Sequence, residues 1–437
     1  MAKKIFIFTN WTCVRRKLDA KKFAYYFSRN NWEVIHDPRK ADVIFMVSCA
    51  FTNQRTEQCV EQINRFKKYD GELIIAGCLP AIDPERMREV FDGRTVVTKE
   101  IEKVDELFSD HKYKWDDLKD ENIPWENLDL TKPVDSMNDL VNKCSLIHNS
   151  YNGFMDVIRH SLLYDSAVMT WYGAASENPY FIRPSRGCMS RCAYCAIWKA
   201  IGKMKSKPLD VLLEEFEKGL KLGYREFILD SDDVGCYGMD INSSFSELLD
   251  RLTDYDEDYV IDIHYIHPHW VLKYVDDIER ILMKGKIRRI LSSIQSGNPR
   301  ILKLMNRYPD TEKLKDAYLR LKKAYPDLLL ETETICGFPT ETFEEFNDTL
   351  KFINDVRFGW GAIFPFSCKT GTKAEEIEPK IPDDEIKRRI EYAKSYLRKQ
   401  GYDARYAKYL KIISQGILDF CDIEPVTRII HKYREKK

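Results

Sequence analysis

The sequence contains no apolar run approaching the ~20 residues that a membrane-spanning helix requires. The first apolar run, Ile5–Phe8, is too short for the core of a signal peptide and reads as a buried strand. The expected location is therefore the cytosol. An excess of basic charge is also missing: 69 Lys and Arg stand against 70 Asp and Glu, a net charge of −1. Phosphate contacts dominate nucleic-acid affinity, so the total charge gives a nucleic-acid partner no support and leaves only a local basic groove open. Internal repeats and low-complexity tracts are absent. Twelve cysteines in a cytosolic chain do not suggest a disulfide framework. Their spacing has to decide between metal sites, catalysis and plain burial.

What is present is ordinary globular material. The chain has 437 residues, 44% hydrophobic and 32% charged, enough for two or three domains. In residues 1–105, apolar strands over 4–9, 43–49 and 72–78 alternate with helices over 19–31, 53–68 and 84–91. That alternation predicts a doubly wound parallel sheet. Residues 106–176 interrupt it with an acidic stretch bearing Trp115 and Trp125 and then a helix-like run; they read as a linker and helical insert. Alternation returns over 177–382, with strands expected at 180–183, 226–230, 260–265, 289–294, 328–335 and 361–366. Such βα units predict a partial (β/α)6 barrel with its chemistry at the strand C-terminal ends. Residues 383–437 read as a helical tail, with helices over 383–400 and 404–420. The expected class is α/β throughout.

Directly after the first barrel strand stand Cys188, Cys192 and Cys195, at the spacing CxxxCxxC. Thiolates are the usual ligands of iron–sulfur clusters. Three of them on one short loop can hold three irons of a cubane and leave the fourth open. A structural zinc site would require four ligands and typically two CxxC pairs, and no second pair follows. In the first domain Cys13 follows the first strand, while Cys49 and Cys78 end the next two apolar strands. Cysteines at the ends of parallel strands converge on one sheet edge. This placement suits a second cubane; three merely buried cysteines are the alternative.

Further motifs carry a resemblance over most of residues 1–375. They are Gly202-Lys203-Met204-Lys205-Ser206-Lys207-Pro208, the loop Asp230–Gly238, His267-Pro268, Gln295-Ser296-Gly297, Met305-Asn306-Arg307, Gly337–Thr342, and Phe366-Ser367 with Thr370-Gly371-Thr372. Together with the cysteines they resemble the radical SAM methylthiotransferases, enzymes that replace an unactivated C–H by C–S–CH3. The resemblance implies S-adenosylmethionine (SAM) and two 4Fe-4S clusters as cofactors. SAM would bind the open iron of the cluster on Cys188, Cys192 and Cys195 and split to a 5′-deoxyadenosyl radical. The cluster on Cys13, Cys49 and Cys78 would present the sulfur, and a second SAM would supply the methyl group. A low-potential electron donor of flavodoxin or ferredoxin type is implied. Tyr194, Lys205, Asp232, Gln295 and Glu333 are the expected SAM contacts, with Lys207 beside Lys205.

Weaker signals remain. Cys59 fits helix packing better than a role near the second cluster. Cys236 lies on the loop over the expected SAM site, and Cys144, Cys336, Cys368 and Cys421 have no assigned role. His264, His267 and His269 cluster at a barrel strand end, with His267 and His269 on one strand face. The family's usual C-terminal TRAM domain is not visible in the ~55 residues after Pro382, which lack strand alternation and hairpin turns. From this the expected substrate is a peptide or protein, such as a ribosomally made precursor peptide, with tRNA, or sulfur insertion without methylation, as the alternative.

Overall fold

The computed structural model describes residues 2–9, 12–122, 167–170 and 179–406. Its first layer is a five-stranded parallel sheet in the order β2-β1-β3-β4-β5. The strands are β1 (Lys4–Phe8), β2 (Glu33–Ile35), β3 (Val43–Ser48), β4 (Glu72–Gly77) and β5 (Thr95–Val97). Every residue of β3 is buried, as expected for a parallel strand covered on both faces. Val43, Phe45 and Val47 pack with Phe23 and Phe27 of helix α1 (Val14–Arg29). Ile44 and Met46 face the other way, onto Ile63 and Phe66 of helix α2 (Asn53–Phe66). The period of two divides one apolar strand between two cores.

The second sheet has eight strands in the order β15-β6-β14-β13-β12-β11-β10-β7. Six are mutually parallel: β7 (Tyr180–Ile182), β10 (Glu226–Asp230), β11 (Val260–His264), β12 (Ile287–Leu291), β13 (Leu329–Cys336) and β14 (Trp360–Pro365). Helices such as Leu209–Lys221 and Phe343–Val356 cover their outer face. This is the expected partial (β/α)6 barrel.

Two expectations need correction. Within 106–176, residues Ala167–Thr170 form β6, which pairs antiparallel with β14. In the tail, Asp383–Lys399 is helical as expected, but Asp403–Tyr406 forms β15 on the far side of β6. Both strands have only four residues, too short to show a period of two in sequence. Residues 123–166 and 171–176 of the insert and the rest of the expected second tail helix, with Cys144 and Cys421, lie outside the described residues.

The sheets meet through buried charge. Arg183, just after β7, donates from Nη1 to Asp19 of α1 at 2.7 Å and pairs through Nη2 with Asp120 at 2.5 Å. The helix Ile197–Ile201 reaches the other way: Ala196 and Ala200 join the core that holds Cys49, Cys59 and Cys78. The loop bearing Cys188–Cys195 is thereby seated against the edge where the first sheet's strands end.

Candidate active site

Cys188, Cys192 and Cys195 lie on the loop between β8 (Ser185–Arg186) and the helix Ile197–Ile201. Three backbone contacts fix that loop. Gly187 has φ +81°, and a Cβ there would meet the Lys203 carbonyl oxygen at 2.3 Å, so only glycine fits. Its N–H donates to Asp232 Oδ2 at 2.9 Å. Ala193 donates to the Met305 carbonyl and accepts from Ala374 N, both at 2.9 Å. The Met305-Asn306-Arg307 motif and Ala374, just after the Thr370–Thr372 motif, are thus walls of the cysteine loop. Burial raises the Cys188 thiol to about 12, helped by Asp233 and by Cys192 and Cys195. Burial and Cys192 raise Cys195 to about 11. Cys188 and Cys195 thus resist ionising until a metal supplies positive charge.

Arg307 closes this side. Its Nη1 donates to His267 Nε2 at 2.6 Å and to Tyr194 Oη at 3.1 Å, and lies 3.6 Å from Cys192 Sγ. Burial, then Arg307 and His269, hold His267 well below the usual histidine range, so its imidazole is neutral. His267 is not on the strand face expected: β11 ends at His264, and His267 is the N-cap of the helix Pro268–Lys273. Pro268 at the first helical position explains the break.

The expected SAM contacts separate into groups. Gln295 adopts φ +67° just past the end of β12, bridged to β13 at Thr334. Gln295 Oε1 and Thr334 Oγ1 are buried with no hydrogen-bond partner among the described residues, so the strand ends offer unused polar atoms that suit a polar cofactor. Glu333 accepts from Ser293 Oγ at 3.1 Å, and burial pushes its carboxyl up to about 7. Tyr194 and Asp232 border the cysteine loop as described. Lys205 is exposed on the two-residue strand β9 (Lys205–Ser206), and Lys207 is taken by Glu215 at 2.8 Å. The structure therefore does not bring these lysines to the thiols.

Across the interface stand Cys13, the N-cap of α1, Cys49 after β3, and Cys78 after β4. Burial raises the Cys49 thiol, with the charges of Cys78 and Cys13 adding to it; burial also raises Cys78, with Arg16 opposing and Cys13 adding. Gly77 brings Cys78 in at φ +99°, with Cys78 N donating to the Ser48 carbonyl at 3.0 Å. Cys59 lies nearer than packing alone requires: its Sγ accepts from Cys49 N at 3.3 Å and donates to the Cys49 carbonyl at 3.2 Å. Cys236 is buried and donates to the Asp233 carbonyl at 3.0 Å. Cys336 is buried in β13, and Cys368 is partly buried. Among the described residues, no three His, Cys, Asp or Glu side chains could hold a single metal ion. Within each triad the cysteines are near enough for their charges to act on one another, a spacing compatible with a larger four-iron cluster.

Sequence reading missed Arg15. From the first turn of α1 it enters the barrel, pairs with Asp230 at 2.6 Å and Asp232 at 3.2 Å, and lies 4.6 Å from the Tyr265 ring centre. The adjacent Cys13 was the only available signal.

Comparison with known proteins agrees with both halves. Residues 182–353 match the family described as "Radical SAM superfamily", and residues 5–98 match "Uncharacterized protein family UPF0004". The chain is 25% identical over 374 residues to the "Probable threonylcarbamoyladenosine tRNA methylthiotransferase" of Pyrococcus horikoshii, covering 85% of this chain and 78% of the relative. It is 26% identical over 415 residues to the "Ribosomal protein uS12 methylthiotransferase RimO" of Thermotoga maritima, covering 92% and 86%. Among solved structures, the radical S-adenosylmethionine methyltransferase TsrM of Kitasatospora setae superposes with TM-score 0.56 at 12% identity, covering 86% of this chain and 77% of that one. That likeness shows the fold alone.

The chain matches the radical SAM superfamily over its barrel and is similar over most of its length to radical SAM methylthiotransferases. It is a methylthio-transferring enzyme whose cofactors are SAM and 4Fe-4S clusters. No helix among the described residues is long and apolar enough to cross a membrane.

Proposed function

We propose that Cys188, Cys192 and Cys195 hold the SAM-cleaving cluster, that Cys13, Cys49 and Cys78 hold the sulfur-presenting one, and that the acceptor is a tRNA base. The observation that carries the first two assignments is the meeting of two thiol triads across one domain interface, bridged by the helix Ile197–Ile201. When bound, the cluster on the barrel loop supplies the electron that splits SAM, chemistry that belongs to the cofactor. The chain's own residues hold and shield the reactants. Gln295 and Thr334 offer their unused polar atoms to SAM, and Arg307 and the neutral His267 screen Cys192. Arg15 fixes the first domain over the strand ends, so that the substrate carbon meets both sites without release of the intermediate into water. Residues 1–105, 106–176, 177–382 and 383–437 act as cluster domain, connector, barrel and tail.

The tRNA reading rests on the similarity to the Pyrococcus relative, which is named as a probable tRNA methylthiotransferase. A ribosomal-protein acceptor is the second reading, favoured by the 92% coverage by the Thermotoga relative. Neither relative is named for a precursor peptide, the substrate expected from sequence. Incubating the reconstituted enzyme with SAM and either bulk tRNA or ribosomal protein, followed by mass spectrometry, tests the reading. A methylthio gain on a tRNA nucleoside is expected. A gain on protein alone would replace the first reading by the second, and addition of a bare thiol would overturn methylthiolation.

A further inference from the structure

The first turn of α1 carries a buried guanidinium that the proposed chemistry has not used. Arg16 is 2% exposed. It lies 3.1 Å from Asp19 Oδ2 without an aligned hydrogen bond, and its Nη1 is buried with no hydrogen-bond partner among the described residues. Asp19 cannot be its counter-ion alone. The same carboxylate also takes Arg183 and Arg186, each at 2.7 Å, and both arginines share Asp120 as their second acid. Three arginines thus divide two carboxylates. The next acid, Asp232, is paired with Arg15 at 3.2 Å. A buried positive charge without a full partner is costly, so the fold implies an anion that protein carboxylates do not supply. Arg16 sits one turn from Cys13, its backbone N–H donating to the Cys13 carbonyl at 3.0 Å, and the charges of Cys78 and Cys13 act on its guanidinium.

We propose that Arg16 is the buried counter-ion of the cluster held by Cys13, Cys49 and Cys78, a positioning residue that keeps this cluster bound and holds its reduction potential up. The inference rests on the assignment of those three cysteines. Three thiolates on a cluster carry more negative charge than its irons and sulfides offset, and one-electron reduction adds another. A fixed cation in a low-dielectric site favours the more negative state. An N–H aimed at cluster sulfur acts in the same direction.

The test uses the full chain with Cys188→Ala, Cys192→Ala and Cys195→Ala, so that only the N-terminal cluster remains. The protein is reconstituted anaerobically with iron and sulfide and titrated with dithionite, and the reduced cluster is read by electron paramagnetic resonance. With Arg16→Met added, the midpoint moves to more negative potential and a chelator strips the iron roughly ten- to hundredfold faster, the worth of one charge-assisted contact. Arg16→Lys restores most of both. An unchanged midpoint in Arg16→Met overturns the role of Arg16 and leaves the cysteine assignment standing. If Arg16→Met binds no iron, Arg16→Lys decides: a bound cluster supports the charge role, and an empty site overturns it. If the chain with Arg16 intact binds no iron, the cysteine assignment falls and takes this proposal with it.

Discussion

Removing Arg15 should loosen the joint between the two domains without touching either cysteine triad. Arg15 is 13% exposed and its partner Asp230 only 2%. Arg15→Met leaves Asp230 charged, buried and unpaired, a change that costs about 3–5 kcal/mol in fully buried pairs. The partial exposure of Arg15 and the remaining contacts of Asp232 place the expected cost near the lower end, at about 3 kcal/mol. The lost stacking on Tyr265 is part of that figure, because neighbouring terms do not add. The cost falls on docking of α1 against the strand ends, so the open population should rise about a hundredfold. Native-state hydrogen exchange at the α1 amides would read this directly, and a global unfolding midpoint would not. Functionally, 5′-deoxyadenosine should still form while methylthio product falls, because the radical arises where sulfur no longer waits. Arg15→Met with Asp230→Leu should recover much of the loss, since the buried charge is then gone. A change below about 1 kcal/mol, or a double variant no better than the single one, would refute the reasoning.

Other outcomes follow from the same geometry. Glu333, held near 7 in the folded chain against an ordinary 4.5, contributes stability that is present below pH 4.5 and lost as pH rises through 7; the full span is worth about 3 kcal/mol. Glu333→Gln should flatten that slope and raise the unfolding midpoint at pH 8, and an unchanged slope would count against its partly buried placement. Cys188→Ala should abolish 5′-deoxyadenosine formation and leave the iron of the N-terminal site, as judged by iron quantitation. Gly77→Ala, which forces a Cβ to 2.4 Å from the Ser48 carbonyl oxygen at φ +99°, should cost about 2 kcal/mol or more and lower N-terminal iron content before barrel iron content.

Much of the architecture was legible because its strands are continuous apolar runs. Val43–Ser48 is buried at every position, and such a strand is hard to mistake when helices with clear start signals follow it. The Cys188–Cys195 loop was legible because a short loop brings its thiols together by covalent spacing alone. Cys13, Cys49 and Cys78 are far apart in sequence and become a group only through the parallel order β1-β3-β4. What escaped was contact across the interface. Arg15 and Arg16 precede the helix expected over 19–31, yet they form the first turn of α1 (Val14–Arg29), and Arg15 reaches the barrel at Asp230. His267 was misplaced because a helix, and not more strand, begins at Pro268. The strands β6 and β15 escaped because their four residues gain stability from pairing with an edge rather than from a pattern of their own.

The central claim is that two separable clusters serve one reaction. Iron and sulfide quantitation on the chain carrying Cys13→Ala, Cys49→Ala and Cys78→Ala, with 5′-deoxyadenosine measured in the same sample, tests it most directly. The account predicts loss of half the iron, continued SAM cleavage and no methylthio product. Full iron content, or loss of SAM cleavage together with the iron, would contradict it.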